Sequence, residues 1–131
     1  MVGPGRLVFA VAVVAALAAC GESSSSSGGG SNSSGSSVGT AGANLGTAAV
    51  KVSATDGQKF DPAQTTAKVG DVIEWTNSGS INHTVTFDDQ QSLSDPSLSA
   101  GGTWQVRFNT AGTYQYHCTI HAGMNGSITV S

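Results

Sequence analysis

A Ser/Gly tract divides the 131-residue chain and limits how much of it can fold. Sixteen of the twenty residues from 21 to 40 are Ser or Gly. Such a composition buries too little apolar surface to offset the entropy lost on ordering, and Ser/Gly-rich segments behave as flexible coils. We therefore expect residues 20–46 to form a disordered tether, and residues 47–131 to form one small domain.

An apolar segment precedes the tract. Residues 7–19 are continuously apolar and follow one basic residue, Arg6. This pattern is typical of a secretory signal peptide and falls short of the roughly 20 residues that a membrane-spanning helix needs. The following Leu17-Ala18-Ala19-Cys20 resembles the lipobox of bacterial lipoproteins.

That resemblance implies that residues 1–19 are a lipoprotein signal peptide and that Cys20 is lipidated. The protein would then be exported and anchored by lipid to the cell membrane or the outer membrane, with its domain in the periplasm or extracellular space. The alternative is ordinary signal cleavage near Ala19, which leaves Cys20 as a free thiol.

The domain is expected to be all-β. Turn residues such as Asp56-Gly57 and Gly101-Gly102 separate short β-branched and aromatic runs, and no window has a convincing helical period. Residues 88–100 form the one long connection, which can include a turn of helix. The runs predict a β-sandwich of about seven strands at 49–54, 65–69, 72–77, 83–87, 103–108, 113–118 and 127–130.

Aromatic residues supply a candidate core. Seven of the eight lie in this region, and in alternating strands they can fill the space between two sheets. We expect most of them to be buried: Phe60, Trp75, Phe87, Trp104, Phe108, Tyr114 and Tyr116.

The charge pattern argues against nucleic acid as a partner. The chain has 5 Lys and Arg against 8 Asp and Glu, with a formal net charge of −3. Its basic residues are scattered, so the basic patch that phosphate binding requires is missing.

Three sulfur and nitrogen donors lie close together near the end of the chain. Cys118, His121 and Met124 share one segment after a predicted strand, and His83 begins an earlier strand. Two His, one Cys and a weakly bound Met describe a blue-copper electron-transfer site. Each residue also has an ordinary interpretation, as a loop His, a core Met or a buried Cys.

The surrounding residues strengthen the metal interpretation. Residues 112–130 resemble the last two strands and ligand loop of the cupredoxins, such as plastocyanin, pseudoazurin and amicyanin, and residues 69–77 and 83–87 resemble earlier strands of that family. The Cys-x-x-His-x-x-Met spacing is most similar to that of amicyanin.

The resemblance implies a Greek-key β-sandwich that binds one type 1 copper. His83, Cys118 and His121 would be equatorial ligands and Met124 the axial one, with His121 as the electron port. The protein would be a monomer, without substrate turnover, that carries single electrons between extracytoplasmic redox proteins such as a cytochrome. Alternatives are a copper-binding module for storage, sensing or delivery, and a metal-free adhesion sandwich.

Two positions depart from the family pattern. Many relatives have Pro where this chain has Ile120, and Asn where it has Thr84. We expect Thr84 to be able to hydrogen-bond to the Cys118 loop, but the reduction potential of relatives does not transfer, since such contacts tune the metal.

His117 is not expected to share a metal with Cys118. Side chains alternate along a strand, so Tyr114, Tyr116 and Cys118 share one face and His117 lies on the other. In the copper nitrite reductases and multicopper oxidases a His beside the Cys binds a second copper, but that requires imidazoles this chain lacks.

Asp88, Asp89 and Asp95 form either an acidic docking patch or a solvated loop.

Overall fold

The structure is a computed structural model that describes residues 37–131. These residues form ten strands and one 3-10 turn, Gln91–Leu93. None of the helical segments among them has the length and apolar character needed to cross a membrane. The strands are β1 Gly39–Gly42, β2 Val50–Thr55, β3 Lys59–Asp61, β4 Gln64–Ala67, β5 Val72–Asn77, β6 His83–Phe87, β7 Asp95–Leu98, β8 Thr103–Phe108, β9 Gly112–His117 and β10 Asn125–Val130.

The strands form two five-stranded sheets. One sheet has the order β1-β8-β5-β2-β3 and the other the order β4-β10-β9-β6-β7. Most neighbours are antiparallel, but β2 runs parallel to β5 and β4 parallel to β10. The chain passes several times from one sheet to the other, for example between β3 and β4 and between β4 and β5, and the predicted all-β Greek-key sandwich is confirmed.

All seven predicted runs are strands; three have the predicted bounds and the other four differ by at most two residues at an end. The structure adds β1, β3 and β7, each of only three or four residues. The last of these lies in the predicted connection 88–100, which also holds the 3-10 turn. Such short strands carry little alternation of apolar and polar residues, so the sequence pattern did not reveal them.

The ordered domain extends into the segment predicted to be a tether. Gly39 pairs with Phe108, and the Asn109 amide donates to the Val38 carbonyl over 2.8 Å. A Cβ at Gly39 would lie 2.6 Å from the Arg107 carbonyl oxygen, so a glycine permits this close pairing. The Gly-rich composition of this segment predicts disorder, but here a glycine allows edge strand β1 to lie close against β8. Residues 1–19 and Cys20 lie outside the described residues.

The core between the sheets is aromatic. Trp75 packs edge-on against Tyr116, with ring centroids 5.3 Å apart, and against Phe87 at 5.7 Å. Phe60 and Phe108 are also buried, and Trp104 and Tyr114 pack against the core while partly exposed. Most of the predicted core aromatics are thus buried, and truncating such a residue costs about 3–5 kcal/mol.

The strand directions define two poles. Strand β6 begins and β9 ends at one of them, which we call the Cys118 pole. The turn between β8 and β9, together with β1 residue Gly39, lies at the opposite pole, because Gly39 pairs with Phe108 at the end of β8.

Candidate metal centre

A tight loop follows β9 and carries two of the predicted ligands. The Cys118 amide donates to the Met124 carbonyl over 2.9 Å, and the Met124 amide donates to the His121 carbonyl over 3.3 Å. Gly123 has a φ of 78°, a left-handed conformation that glycine adopts without strain. The loop therefore returns directly into β10 and holds Cys118 and His121 on one short turn.

The pairing of β6 with β9 brings His83 to this loop. Thr86 lies opposite His117 and Phe87 opposite Tyr116, so the start of β6 continues alongside the residues after β9. His83 is completely buried. The two strands thus bring His83 and Cys118, which lie 35 residues apart in sequence, to one place.

The donor atoms of three side chains converge. One ligand atom each from His83, Cys118 and His121 lies within 4.8 Å of the other two. The Cys118 Sγ is 3.4 Å from His121 Nδ1, and the two imidazole rings have centroids 4.9 Å apart. The geometry therefore brings together three of the four residues singled out in the sequence.

The His83 imidazole lacks hydrogen bonds within the described part of the chain. Both of its ring nitrogens are buried without a partner. Burial lowers the pKa of His83, and the neighbouring His121 imidazole acts in the same direction. A buried, neutral imidazole with unpaired nitrogens is costly alone and suited to a metal ion, which takes up the lone pair.

Met124, the fourth predicted ligand, is buried at the end of the loop. Its backbone holds both Cys118 and His121, as described above. Thiolate, imidazole and thioether donors together suit copper in both oxidation states. Cys118 is a buried free thiol in the described chain, as a metal ligand requires.

Thr84 connects β6 to the Cys118 loop. Its amide donates to Cys118 Sγ at 3.3 Å, and its hydroxyl oxygen accepts from the Thr119 amide at 2.8 Å. The hydroxyl also lies 3.2 Å from Thr119 Oγ1 and accepts from Thr86 Oγ1 at 3.3 Å. The expected hydrogen bond between Thr84 and the Cys118 loop is therefore present, with the Thr84 hydroxyl oxygen as the acceptor.

His117 lies apart from the three donors. It is half-exposed, and its Nδ1 is 2.7 Å from Asp88 Oδ1. Asp88 and Asp89 are exposed, whereas Asp95 is half-buried and accepts from the Ser97 amide. One member of the acidic group is therefore paired with His117, and a second caps its own turn.

Asn77, which holds the chain segment just before His83, was not predicted from the sequence. Asn77 is buried, and its side-chain amide donates to the carbonyl oxygens of Ile81 at 2.7 Å and Leu98 at 2.9 Å. Its Oδ1 accepts from the Gly79 amide. An Asn two residues before a Gly after a strand is typical of an Asx turn, and this signal could have identified it.

Comparison with known proteins agrees with this geometry. Residues 47–131 match the family described as copper binding proteins, plastocyanin/azurin family. A plastocyanin of Scenedesmus fuscus is 35% identical over 94 residues, covering 62% of this chain and 96% of the relative. Amicyanin-alpha of Methylorubrum extorquens is 34% identical over 76 residues, covering 55% of this chain and 64% of the relative.

Solved structures show the same similarity. A reduced amicyanin variant superposes with a TM-score of 0.63 and 26% identity, covering 72% of this chain and 99% of the amicyanin. A purple cupredoxin from Nitrosopumilus maritimus superposes with a TM-score of 0.59 and 26% identity, covering 63% and 99% respectively.

Proposed function

The chain belongs to the plastocyanin/azurin family of copper-binding proteins, and from this premise we propose that it is a cupredoxin that carries single electrons. The observation that carries the proposal is the convergence of the donor atoms of His83, Cys118 and His121, with both ring nitrogens of the buried His83 unpaired. Copper, when bound, supplies a one-electron couple between Cu(II) and Cu(I).

We assign His83, Cys118, His121 and Met124 as the ligands of that copper. The Thr84 amide donates to Cys118 Sγ over 3.3 Å and so fixes the position of the sulfur beside β6. Burial of His83 keeps its imidazole neutral and free to bind a metal.

The surroundings of the donors favour electron transfer over copper delivery. Cys118 and His83 are buried. The Thr84 hydroxyl accepts from the Thr119 amide and so ties β6 to the Cys118 loop, which the hydrogen bonds of the Met124 backbone close. A site held in this way excludes water and limits rearrangement between oxidation states. A delivery site needs exchangeable, accessible ligands, which the buried Cys118 and His83 do not provide. Copper storage, sensing or delivery is therefore the second candidate function, and the electrochemical experiment below distinguishes it from electron transfer.

Electrons are proposed to enter and leave through His121. Its side chain is only half-buried, unlike that of His83, and the adjacent Ile120 is 56% exposed. An exposed apolar side chain beside a ligand offers a contact surface to a redox protein without requiring fixed charges. We infer partners among extracytoplasmic redox proteins, such as a cytochrome, and no substrate turnover by the protein itself.

We further propose export and lipid anchoring at Cys20. The support is the apolar segment 7–19 followed by the lipobox-like Leu17-Ala18-Ala19-Cys20. Fatty-acid labelling of the full chain expressed in a bacterium tests this. Label and membrane association are expected for the natural sequence and should both vanish in Cys20→Ala. A labelled Cys20→Ala protein would contradict the assignment.

Electrochemistry of the copper-loaded protein tests the electron-carrier function. A reversible one-electron wave is expected, with copper retained after dialysis in both oxidation states. Loss of copper on reduction would instead indicate storage or delivery.

Exchange of electrons with a reduced cytochrome tests the proposed docking surface. Ile120→Asp should slow the reaction, whereas Val69→Asp should not. Val69 is 48% exposed, similar to Ile120, but lies at the opposite pole, where its amide donates to Ser131. Equal rates for the two variants would contradict entry at His121.

A further inference from the structure

The loop of residues 78–82 joins β5 to β6 and ends directly before His83. The conformation of this loop therefore sets the position of the His83 backbone, from which the buried imidazole extends. The loop starts against the end of β2, where the Ser78 amide and hydroxyl both donate to the Ala54 carbonyl, at 2.9 and 3.2 Å. The residue that holds its middle comes from the turn that follows β2.

That residue is Asp56, whose carboxylate accepts three hydrogen bonds from the loop. Oδ1 accepts from the Ser80 amide at 2.6 Å and from the Ile81 amide at 3.1 Å, and Oδ2 accepts from the Ser80 hydroxyl at 3.1 Å. The hydrogen bonds from the Ile81 and Ser80 amides lower the pKa of Asp56, so it is ionised at neutral pH.

The Ile81 residue is held from both sides. Asp56 binds its amide, and the buried Asn77 side chain donates to its carbonyl oxygen. Gly79 allows this arrangement, because a Cβ there would collide with the Asp56 side chain and lie 2.9 Å from the Asp56 backbone nitrogen. Two residues before His83, the backbone is therefore fixed in position.

We propose that Asp56 is a positioning residue for the metal centre: its carboxylate fixes the loop 78–82 and thereby the His83 imidazole. The inference rests on the proposed role of His83 as a copper ligand. Asp56 itself is exposed and is not one of the proposed copper ligands. Its effect reaches the metal only through the loop, as with other groups that orient ligands.

Copper retention in Asp56 variants tests the proposal. Asp56→Ala should release Cu(II) to a chelator at least about 10-fold faster than the natural protein, the lower bound for losing a supporting contact around a ligand. In the copper-free protein, the Ser80 and Ile81 amides should exchange with solvent faster. Asp56→Asn keeps an acceptor oxygen for both amides and should restore slow release.

Asp71→Ala is the matched control. Asp71 is partly exposed, and its Oδ2 accepts from the Lys68 amide at 2.9 Å, but it lies at the opposite pole. The substitution removes the same charge and a similar turn contact, so it should leave copper release unchanged. Equal release from Asp56→Ala and Asp71→Ala would overturn the proposal.

A second variant tests the proposal if Asp56→Ala does not fold. Gly79→Ala leaves Asp56 intact but pushes the loop away from it, and the same acceleration of copper release is expected. Normal release from this variant would also overturn the proposal. Failure of the copper assignment itself would be distinct, because the natural protein would then lack the intense thiolate-to-copper absorption.

Discussion

Replacing Thr84 with Val removes one hydroxyl from the support of the metal centre. The substitution keeps the side-chain shape and the amide contact to Cys118 Sγ, but the Thr119 amide loses its acceptor at 2.8 Å. A typical hydrogen bond contributes about 0.5–1.5 kcal/mol, and leaving a buried donor unpaired costs about 1–3 kcal/mol. The contact is only partly buried, so we expect a loss of about 1–2 kcal/mol.

Chemical unfolding of the copper-free protein measures this loss. In thermal unfolding, each kcal/mol of lost stability corresponds to a decrease in Tm of about 4–8 °C for a domain of this size. Copper should also leave the variant about 10-fold faster, since Thr119 directly follows Cys118, a proposed ligand.

Thr86→Val is the control for this prediction. It removes a hydroxyl that makes only the 3.3 Å contact to Thr84, so the free energy of unfolding should change by less than about 0.5 kcal/mol. A Thr84→Val protein as stable as Thr86→Val would refute the assigned role of the hydroxyl.

Two further predictions concern the fold. Burial raises the pKa of Tyr116 to about 12 from 10.0, so the folded state keeps a proton that the unfolded state releases, and stability should fall by about 2–3 kcal/mol as pH rises from 10 to 12. Unfolding at several alkaline pH values should show that Tyr116→Phe removes this decrease; an unchanged slope would contradict the cause. A protein shortened to begin at Thr47 loses β1 and the bonds of Gln105 to Leu45 and Gly46. Its Tm should fall by several degrees while its copper absorption is kept, and an unchanged Tm would show that β1 contributes nothing.

The sequence predicted the sheet strands and the grouping of Cys118 with His121 because both follow strong local patterns, whereas His83 was joined to them through the resemblance to the cupredoxins. Strands such as Val72–Asn77 and Thr103–Phe108 carry β-branched and aromatic residues at alternating positions, which directly report a buried face. Cys118 and His121 lie on one loop, so their proximity is set by sequence spacing alone.

The support of the site was harder to predict, because it depends on contacts between distant segments. Asp56 and Ser80 are 24 residues apart, and Asp56 is an ordinary turn residue in the sequence. Strand β1 was missed for a different reason. Its Gly-rich composition is typical of a coil, and only the close approach to β8 gives those glycines a structural use.

The visible absorption of the protein with one equivalent of Cu(II) tests the central claim most directly. The proposed ligands predict an intense thiolate-to-copper band that disappears on adding a mild reductant and returns on reoxidation. Cys118→Ser should bind no copper with this colour while its copper-free form remains folded. An equally intense band in Cys118→Ser, or tight copper binding by the natural protein without the band, would contradict the assigned centre.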